Sequence, residues 1–560
     1  MTRTPSGNWK PLLLGAGLVF ALVVFPLCIA QRIPVLDPDE GIHAAIAQEM
    51  VERGDWVSPR FMGEPFRDKP ILFFWAMAGS LAAFGMNESA LRLPGLICGL
   101  LGIVTTGLVA RQLFDRATGW IAMILQASMI LPTALMQSPV HDLAVVPMTN
   151  LALIGFWLAD ADRSWRGWRG VALAGVCLGL AALTKGLLGV AMVACPAVVY
   201  LALVWRLTPG ICGRAIAALA LGAIVAAPWY VVMSLRTPGY AHYFFVERHL
   251  HGYLTDSQFH GKAPWWYYLP MLLGGGLPWI AYLPFALQQL WNDGADRSSV
   301  AFRARVFAWC WLVVSVLFLT LANSKLVTYL LPTFPAISVL AADLWARCRR
   351  NDLVPLIQTR LWNSFALSSA TGVLVLPIAV YLATRAFGLS LSPLAWTACI
   401  VVSCGSWLPL IFWPRRDVQA CLSAGVSSLA IAFTFIMAVL VPQIAPVTSA
   451  VDLARHFNQV GALPPQLLIA EERIGSFVFY LDPALRAELR SDRLDNCRLR
   501  DLAWHPVTTP GTLLAVPERS LHRGRKLLRL EEAKFTQAGR YRIYQAADAK
   551  PTEEFVARKQ

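Results

Sequence analysis

The feature that most constrains this chain is a repetition: apolar runs long enough to cross a bilayer recur from near the start to residue 442. A helix needs about 20 apolar residues to span the hydrocarbon. Runs of that kind lie near 11–30, 92–110, 118–136, 142–160, 170–186, 187–205, 215–234, 265–290, 305–322, 327–345, 364–384, 393–413 and 421–442, a reading of 13 spans. Lipid leaves only helices and closed barrels able to pair every backbone N–H and C=O, so runs of this length predict a helical polytopic membrane protein. Composition supports it: 56% of residues are hydrophobic and 15% charged, against about 25% charged in a soluble domain. A water-soluble globular enzyme is excluded.

The net charge of +14 does not point to nucleic acid, because the arginines fall in small clusters between apolar runs. They read instead as the cytoplasmic bias that orients membrane proteins. With 71–84 lying in the interface rather than crossing, Arg111 and Arg116, Arg163 to Arg169, Arg206 and Arg214, Arg297 to Arg305, Arg347 to Arg360, and Arg415 with Arg416 all share one side. The short connections opposite carry single cations: Lys185, Lys325 and Arg385. The first run, 11–30, reads as an uncleaved signal anchor. The 11 cysteines form no CxxC pair or disulfide framework.

This organisation predicts a transmembrane domain over 1–442 with external loops 31–91 and 235–264. A small α/β domain follows over 443–560, outside the membrane. Strands are expected at Leu467–Ala470, Phe477–Leu481, Thr512–Val516 and Tyr541–Tyr544, where short apolar runs are bounded by Pro, Gly and charge.

Charges that the topology leaves on the external side are functional candidates. Asp37-Pro38-Asp39-Glu40-Gly41-Ile42-His43 opens a helix expected to run to about Arg53, with Asp37 as N-cap and Glu40 closing a capping box. Asp39 is then left over as a candidate acid or base. Lys69, in Arg67-Asp68-Lys69-Pro70, is placed to hold a lipid phosphate as a point charge. Lys185, Lys325 and Tyr329 lie within a few residues of span ends, and His141-Asp142 opens the fourth span. In the second loop Glu247, Arg248, His249, His251 and His260 form a polar cluster; Glu247 and His249 are candidates for a divalent metal or an anion, although the spacing is no zinc signature.

Asp39-Glu40 after the first span, Gly54-Asp55-Trp56, Lys69-Pro70, Thr184-Lys185-Gly186 and Ser324-Lys325 with Tyr329-Leu330-Leu331-Pro332 together resemble bacterial membrane glycosyltransferases of the C-type (GT-C) fold. Among these they look most like the lipid A aminoarabinose transferase family, related to the protein O-mannosyltransferases. The resemblance covers the whole chain and implies about 13 transmembrane helices with a periplasmic C-terminal domain. It also implies transfer of a sugar from undecaprenyl phosphate, with 4-amino-4-deoxy-L-arabinose as donor sugar and lipid A phosphate as acceptor, an activity tied to polymyxin resistance. By motif position it makes Asp39 and Asp142 the catalytic candidates, Lys69 a ligand of the carrier phosphate and Tyr329 a residue beside that phosphate; Glu40, His43, Lys185, Lys325 and Arg248 join them as substrate-binding candidates. It implies an inner-membrane protein; a monomer is expected, and the sequence requires no cofactor beyond the candidate divalent metal at Glu247 and His249. Two departures stand out: Ile42-His43 replaces the Arg-Tyr of many relatives, and the arginine implied for the second loop has no single match among Arg248, His249 and His251. A related transferase acting on protein or another lipid, and a lipid flippase or transporter, are the competing readings.

Overall fold

The computed structural model describes Gly17, Cys28, Ile29 and residues 32–552, apart from 163, 255–262, 296–298, 473, 506, 508 and 531. The expected first span therefore lies almost wholly outside the described residues, and so does His260. The chain divides into two compact units. One comprises Met1–Ile29, Arg67–Phe73 and Arg92–Leu440; the other comprises Ala30–Phe66, Phe74–Leu91 and Val441–Gln560.

Among the described residues nine helices are long and apolar enough to cross a membrane. They correspond to the runs near 92–110, 142–160, 170–186, 215–234, 305–322, 327–345, 364–384, 393–413 and 421–442. Three other expected spans take different forms. The run at 118–136 is two helices, Arg116–Gln126 and Ile130–Leu135. The run at 187–205 is a helix of 17 residues, Leu187–Leu203. The run at 265–290 bends by 99° between Tyr268–Gly275 and Trp279–Asn292, where Gly274-Gly275-Gly276-Leu277-Pro278 supplies the residues that break helices. The segment expected in the interface forms the helix Leu72–Phe84, 13 residues long.

The sequence punctuates these helices in recognisable ways. Asp115, Thr208, Ser299 and Asp417 each accept a first-turn N–H, from Thr118, Ile211, Phe302 and Ala420 respectively, satisfying donors that lipid could not. Small residues set the packing. A Cβ on Gly155 would meet the backbone of Ala174 and Gly170, and one on Gly175 the carbonyl of Ala218. Glycines of this kind let helix backbones approach closely in a membrane. The helices His141–Ala161 and Gly167–Lys185 thus form an antiparallel hairpin that brings Asp142, at the start of one, beside Lys185, at the end of the other.

In the second unit a helix, Asp39–Arg53, ends at Gly54 in the left-handed conformation (φ 67°), as the sequence predicts. A short hairpin follows, β1 (Arg60–Phe61) with β2 (Glu64–Pro65). Residues 441–552 form an α/β sheet of five strands: β3 (Gln466–Ala470), β4 (Leu494–Cys497), β5 (Thr512–Pro517), β6 (Phe535–Ala538) and β7 (Tyr541–Gln545). Their order is β4-β3-β5-β7-β6; β4 and β5 run parallel to β3, and β7 runs antiparallel to β5 and β6. Three expected strands are β3, β5 and β7. The fourth, Phe477–Leu481, is instead the helix Gly475–Tyr480. Phe477, Val478 and Phe479 are all buried, and a short run buried on every side carries no period to separate strand from helix.

Candidate active site

The first unit contains a cavity of about 110 Å³ lined by Asp68, Lys69, Lys185, Arg248, His249, Ser324 and Tyr329, among others. Its residues come from four separate stretches of sequence, and the contacts around it show how they are held. Lys185 Nζ donates to Asp142 Oδ2 at 2.8 Å and lies 4.6 Å from the centre of the Tyr329 ring. Asp142 Oδ2 also accepts from Thr328 Oγ1 at 2.9 Å. Both Lys185 and Asp142 are buried, so the pair is satisfied by charge and by hydrogen bonds as a buried ion pair must be. Asp142, expected to be catalytic, is placed here against Lys185 and Thr328.

Asp68 links the first stretch to the second loop. It accepts from Tyr243 Oη and lies 4.0 Å from Arg248 Nη2; the Arg67 guanidinium stacks 5.0 Å over the Tyr243 ring. Neighbouring Lys69 is crowded by like charge. Burial, then the Lys185 ammonium, pushes its pKa down from the ordinary lysine value to about 7, with Asp142 opposing and Arg248 adding to the fall. Lys69, Lys185 and Arg248 thus surround a small cavity with two carboxylates, Asp68 and Asp142, in attendance.

His249 packs into the cavity wall. Its Nδ1 donates to the Phe244 carbonyl at 2.6 Å, and its other edge lies against Gly186. Gly186 has φ 69° and a Cβ there would strike that ring, which explains the glycine after Lys185. Burial lowers the pKa of His249, keeping it neutral. Glu247 faces His242 at 3.1 Å and is exposed, so the expected pairing with His249 is not formed. Among the described residues no group of three or more His, Cys, Asp or Glu could hold a metal. Lys325 is buried, donates to the Ala322 carbonyl, and has its pKa lowered by burial; its neighbour Ser324, not Lys325, lines the cavity.

The second unit holds the other sequence candidates. Asp39 is exposed at the first position of its helix, and among the described residues no hydrogen bond or ion pair engages it. The capping box forms only in part. The helix starts at Asp39, the N-cap position is Pro38, and Asp37 points elsewhere, to Ser476. Glu40 does reach back, accepting from Leu36 N–H at 2.9 Å. Glu40 and His43 are both buried, His43 with its ring edge-on to Phe74 at 5.7 Å. Sequence reasoning missed Asp68, Thr328 and Ser476. Asp68 carried a usable signal, being the carboxylate next to Lys69; Thr328 and Ser476 become visible only through long-range contacts.

The sequence profile of the dolichyl-phosphate-mannose-protein mannosyltransferase family matches residues 68–232. An undecaprenyl phosphate-alpha-4-amino-4-deoxy-L-arabinose arabinosyl transferase of Erwinia tasmaniensis is 32% identical over 399 residues, covering 69% of this chain and 68% of the relative. The chain belongs to this arabinosyl transferase family. Its relative from Aeromonas salmonicida is 34% identical over 329 residues, and there the match spans 58% of each chain. The crystal structure of ArnT from Cupriavidus metallidurans bound to undecaprenyl phosphate superposes with a TM-score of 0.75 at 21% identity, covering 98% of this chain and 100% of that one. The fold is therefore that of a multi-pass membrane arabinosyl transferase, with its small C-terminal sheet included.

Proposed function

We propose that this chain is an integral membrane glycosyltransferase moving 4-amino-4-deoxy-L-arabinose from undecaprenyl phosphate to a lipid A phosphate, on the periplasmic face of the inner membrane. The observation that carries the reading is the cavity where Lys69, Lys185 and Arg248 converge. Burial together with the neighbouring Lys185 and Arg248 cations pulls Lys69 down to about 7, a site that calls for an anion, and a phosphate entering there restores the Lys69 proton.

In the reaction the bond from the sugar's anomeric carbon to the carrier phosphate oxygen breaks, and a bond to an acceptor phosphate oxygen forms. Charge grows on the departing carrier phosphate, where Lys69 and Lys185 stabilise it, an electrostatic effect worth about 10²- to 10³-fold per donor. Asp142 and Tyr329 hold Lys185 in place for this. A phosphate acceptor is already ionised at neutral pH, so the remaining task is to position it; the family motif assigns that to Asp39. The course proposed is a single displacement with inversion: Asp68, the carboxylate lining the cavity, is occupied by Tyr243 Oη and lies 4.0 Å from Arg248 Nη2.

The test is mass spectrometry of lipid A from cells that make the donor, with and without the chain. The expected result is a gain of one aminopentose on a phosphate. Unchanged lipid A, or carrier movement across the bilayer without transfer, overturns the reading.

A further inference from the structure

The segment before Asp39 is fastened to the C-terminal α/β fold by several hydrogen bonds. Asp37 N–H donates to the Thr448 carbonyl at 2.8 Å. The Asp37 carboxylate accepts from Ser476 twice, from N–H at 3.0 Å and from Oγ. Ser476 Oγ in turn accepts from Ala450 N–H at 2.8 Å, and Val35 N–H donates to Tyr480 Oη at 2.8 Å. A second, independent observation is backbone contact. A Cβ on Gly41 would collide with Ser476 N, and a Cβ on Gly475 with Ile42 N; the two chains touch where neither can carry a side chain.

The position within the sheet gives this contact its meaning. The chain leaves β3 toward β4 on one side and leaves β5 toward β6 and β7 on the other. Open α/β sheets seat ligands outside the carboxyl ends of their strands at such a reversal. Here the segment following β3 runs through Glu472 to Ser476. Glu472 is buried and bound by Arg540 through Nη1 and Nη2, both at 2.8 Å, by Arg519 at 2.8 Å, and by Tyr541 Oη. Arg540 also donates to the Ser449 carbonyl at 2.9 and 3.1 Å, next to the Thr448 that holds Asp37.

We infer that Asp37 and Ser476 are positioning residues for the transfer reaction: the C-terminal α/β fold uses its carboxyl-end crevice to grip the chain's own turn and so fixes how Asp39 is presented. This rests on the reading of the chain as a glycosyltransferase with Asp39 acting on the acceptor. Asp39 itself makes no bond among the described residues, so its aim depends on the neighbours two residues away. The Glu472, Arg519 and Arg540 cluster braces the grip from just after β3, just after β5 and just before β7.

The test uses purified full-length protein, undecaprenyl phosphate-linked aminoarabinose and lipid A. Displacement of a catalytic group by about an ångström costs up to about 100-fold, so Asp37→Ala and Ser476→Ala are each expected to lower kcat by about 10- to 100-fold. Binding of undecaprenyl phosphate alone, which reads the cation cavity and the integrity of the protein, is expected to stay within about twofold. Asp37→Asn keeps an acceptor for Ser476 N–H and gains a donor for Oγ, and is expected to restore most of kcat. The inference is overturned if both alanine variants keep wild-type kcat while Asp39→Ala is inactive, or if their loss of kcat is matched by loss of carrier binding. Failure of the wild-type protein to bind undecaprenyl phosphate or to transfer sugar would instead strike the function itself.

Discussion

The cation cavity of the first unit and the Asp39 turn of the second present their charges in opposite ways. Lys185 is buried and paired with Asp142, and Lys69 is pushed toward neutrality by its surroundings. Asp39 stands exposed and unpaired among the described residues, while its neighbour Asp37 takes up the bonds. On the proposed function, the group that receives an anion is tuned by burial and by the charges around it, and the group that meets the acceptor is left bare. Each of the following measurements breaks or sharpens that contrast.

The largest effect is expected from Asp142→Ala, which strands Lys185 as an unpaired buried cation and costs about 3–5 kcal/mol of stability; denaturant unfolding of the purified protein checks it. Lys69→Ala is expected to cost about 10²- to 10³-fold in kcat/KM for the carrier-linked donor while leaving the unfolding midpoint near wild type, because Lys69 is not the partner holding a carboxylate. A smaller effect follows from titration of Lys69. Its proton is largely lost above about pH 7 in the free protein and regained beside a bound phosphate. Carrier affinity therefore falls as pH rises above 7, by at most about tenfold per pH unit, a dependence that Lys69→Arg abolishes. Calorimetric titration at several pH values reads it directly.

Asp37 gives the second unit its own pH signature. Burial lifts its carboxyl to about 7; Glu472 adds to the rise, while the Ser476 bonds and Arg540 oppose it. A carboxyl raised on folding contributes stability that is present at low pH and lost as pH rises through 7. Asp37→Asn does not titrate, so its melting temperature is expected to gain on wild type as pH rises from about 4 to about 7, the interval between the ordinary carboxyl value and the raised one, and to hold a constant lead above it. The smallest effect is expected from Glu247→Ala, an exposed change with one bond to His242, which should alter stability by less than about 0.5 kcal/mol and leave carrier binding unchanged.

Much of this was legible in the sequence because membranes make the code simple. The apolar runs located the long helices, and the sparse charges near their ends pointed to Lys69, Asp142, Lys185 and Tyr329. What the sequence could not show was division of labour. Asp142 and Lys185 each stood out as ionisable groups at span ends, yet nothing local says that one neutralises the other, since their meeting depends on glycine contacts such as Gly155 with Ala174. The capping signal at Asp37 misled for a related reason. Ser476, 439 positions away, competes for the carboxylate, and a tertiary bond outweighed a local one. The polar edge strands β4 and β6 escaped notice because they bury little: residues Asp495 and Asn496, and Phe535 to Gln537, are exposed. The Phe477 run was misassigned because it buries everything.

The central claim is that the Lys69, Lys185 and Arg248 cavity seats the carrier phosphate during sugar transfer. It is tested most directly by incubating purified protein with undecaprenyl phosphate-linked aminoarabinose and lipid A and weighing the product. The account predicts one aminopentose added per modified phosphate, with the product lost in Lys69→Ala together with carrier binding. Transfer that proceeds at the wild-type rate in Lys69→Ala would contradict it.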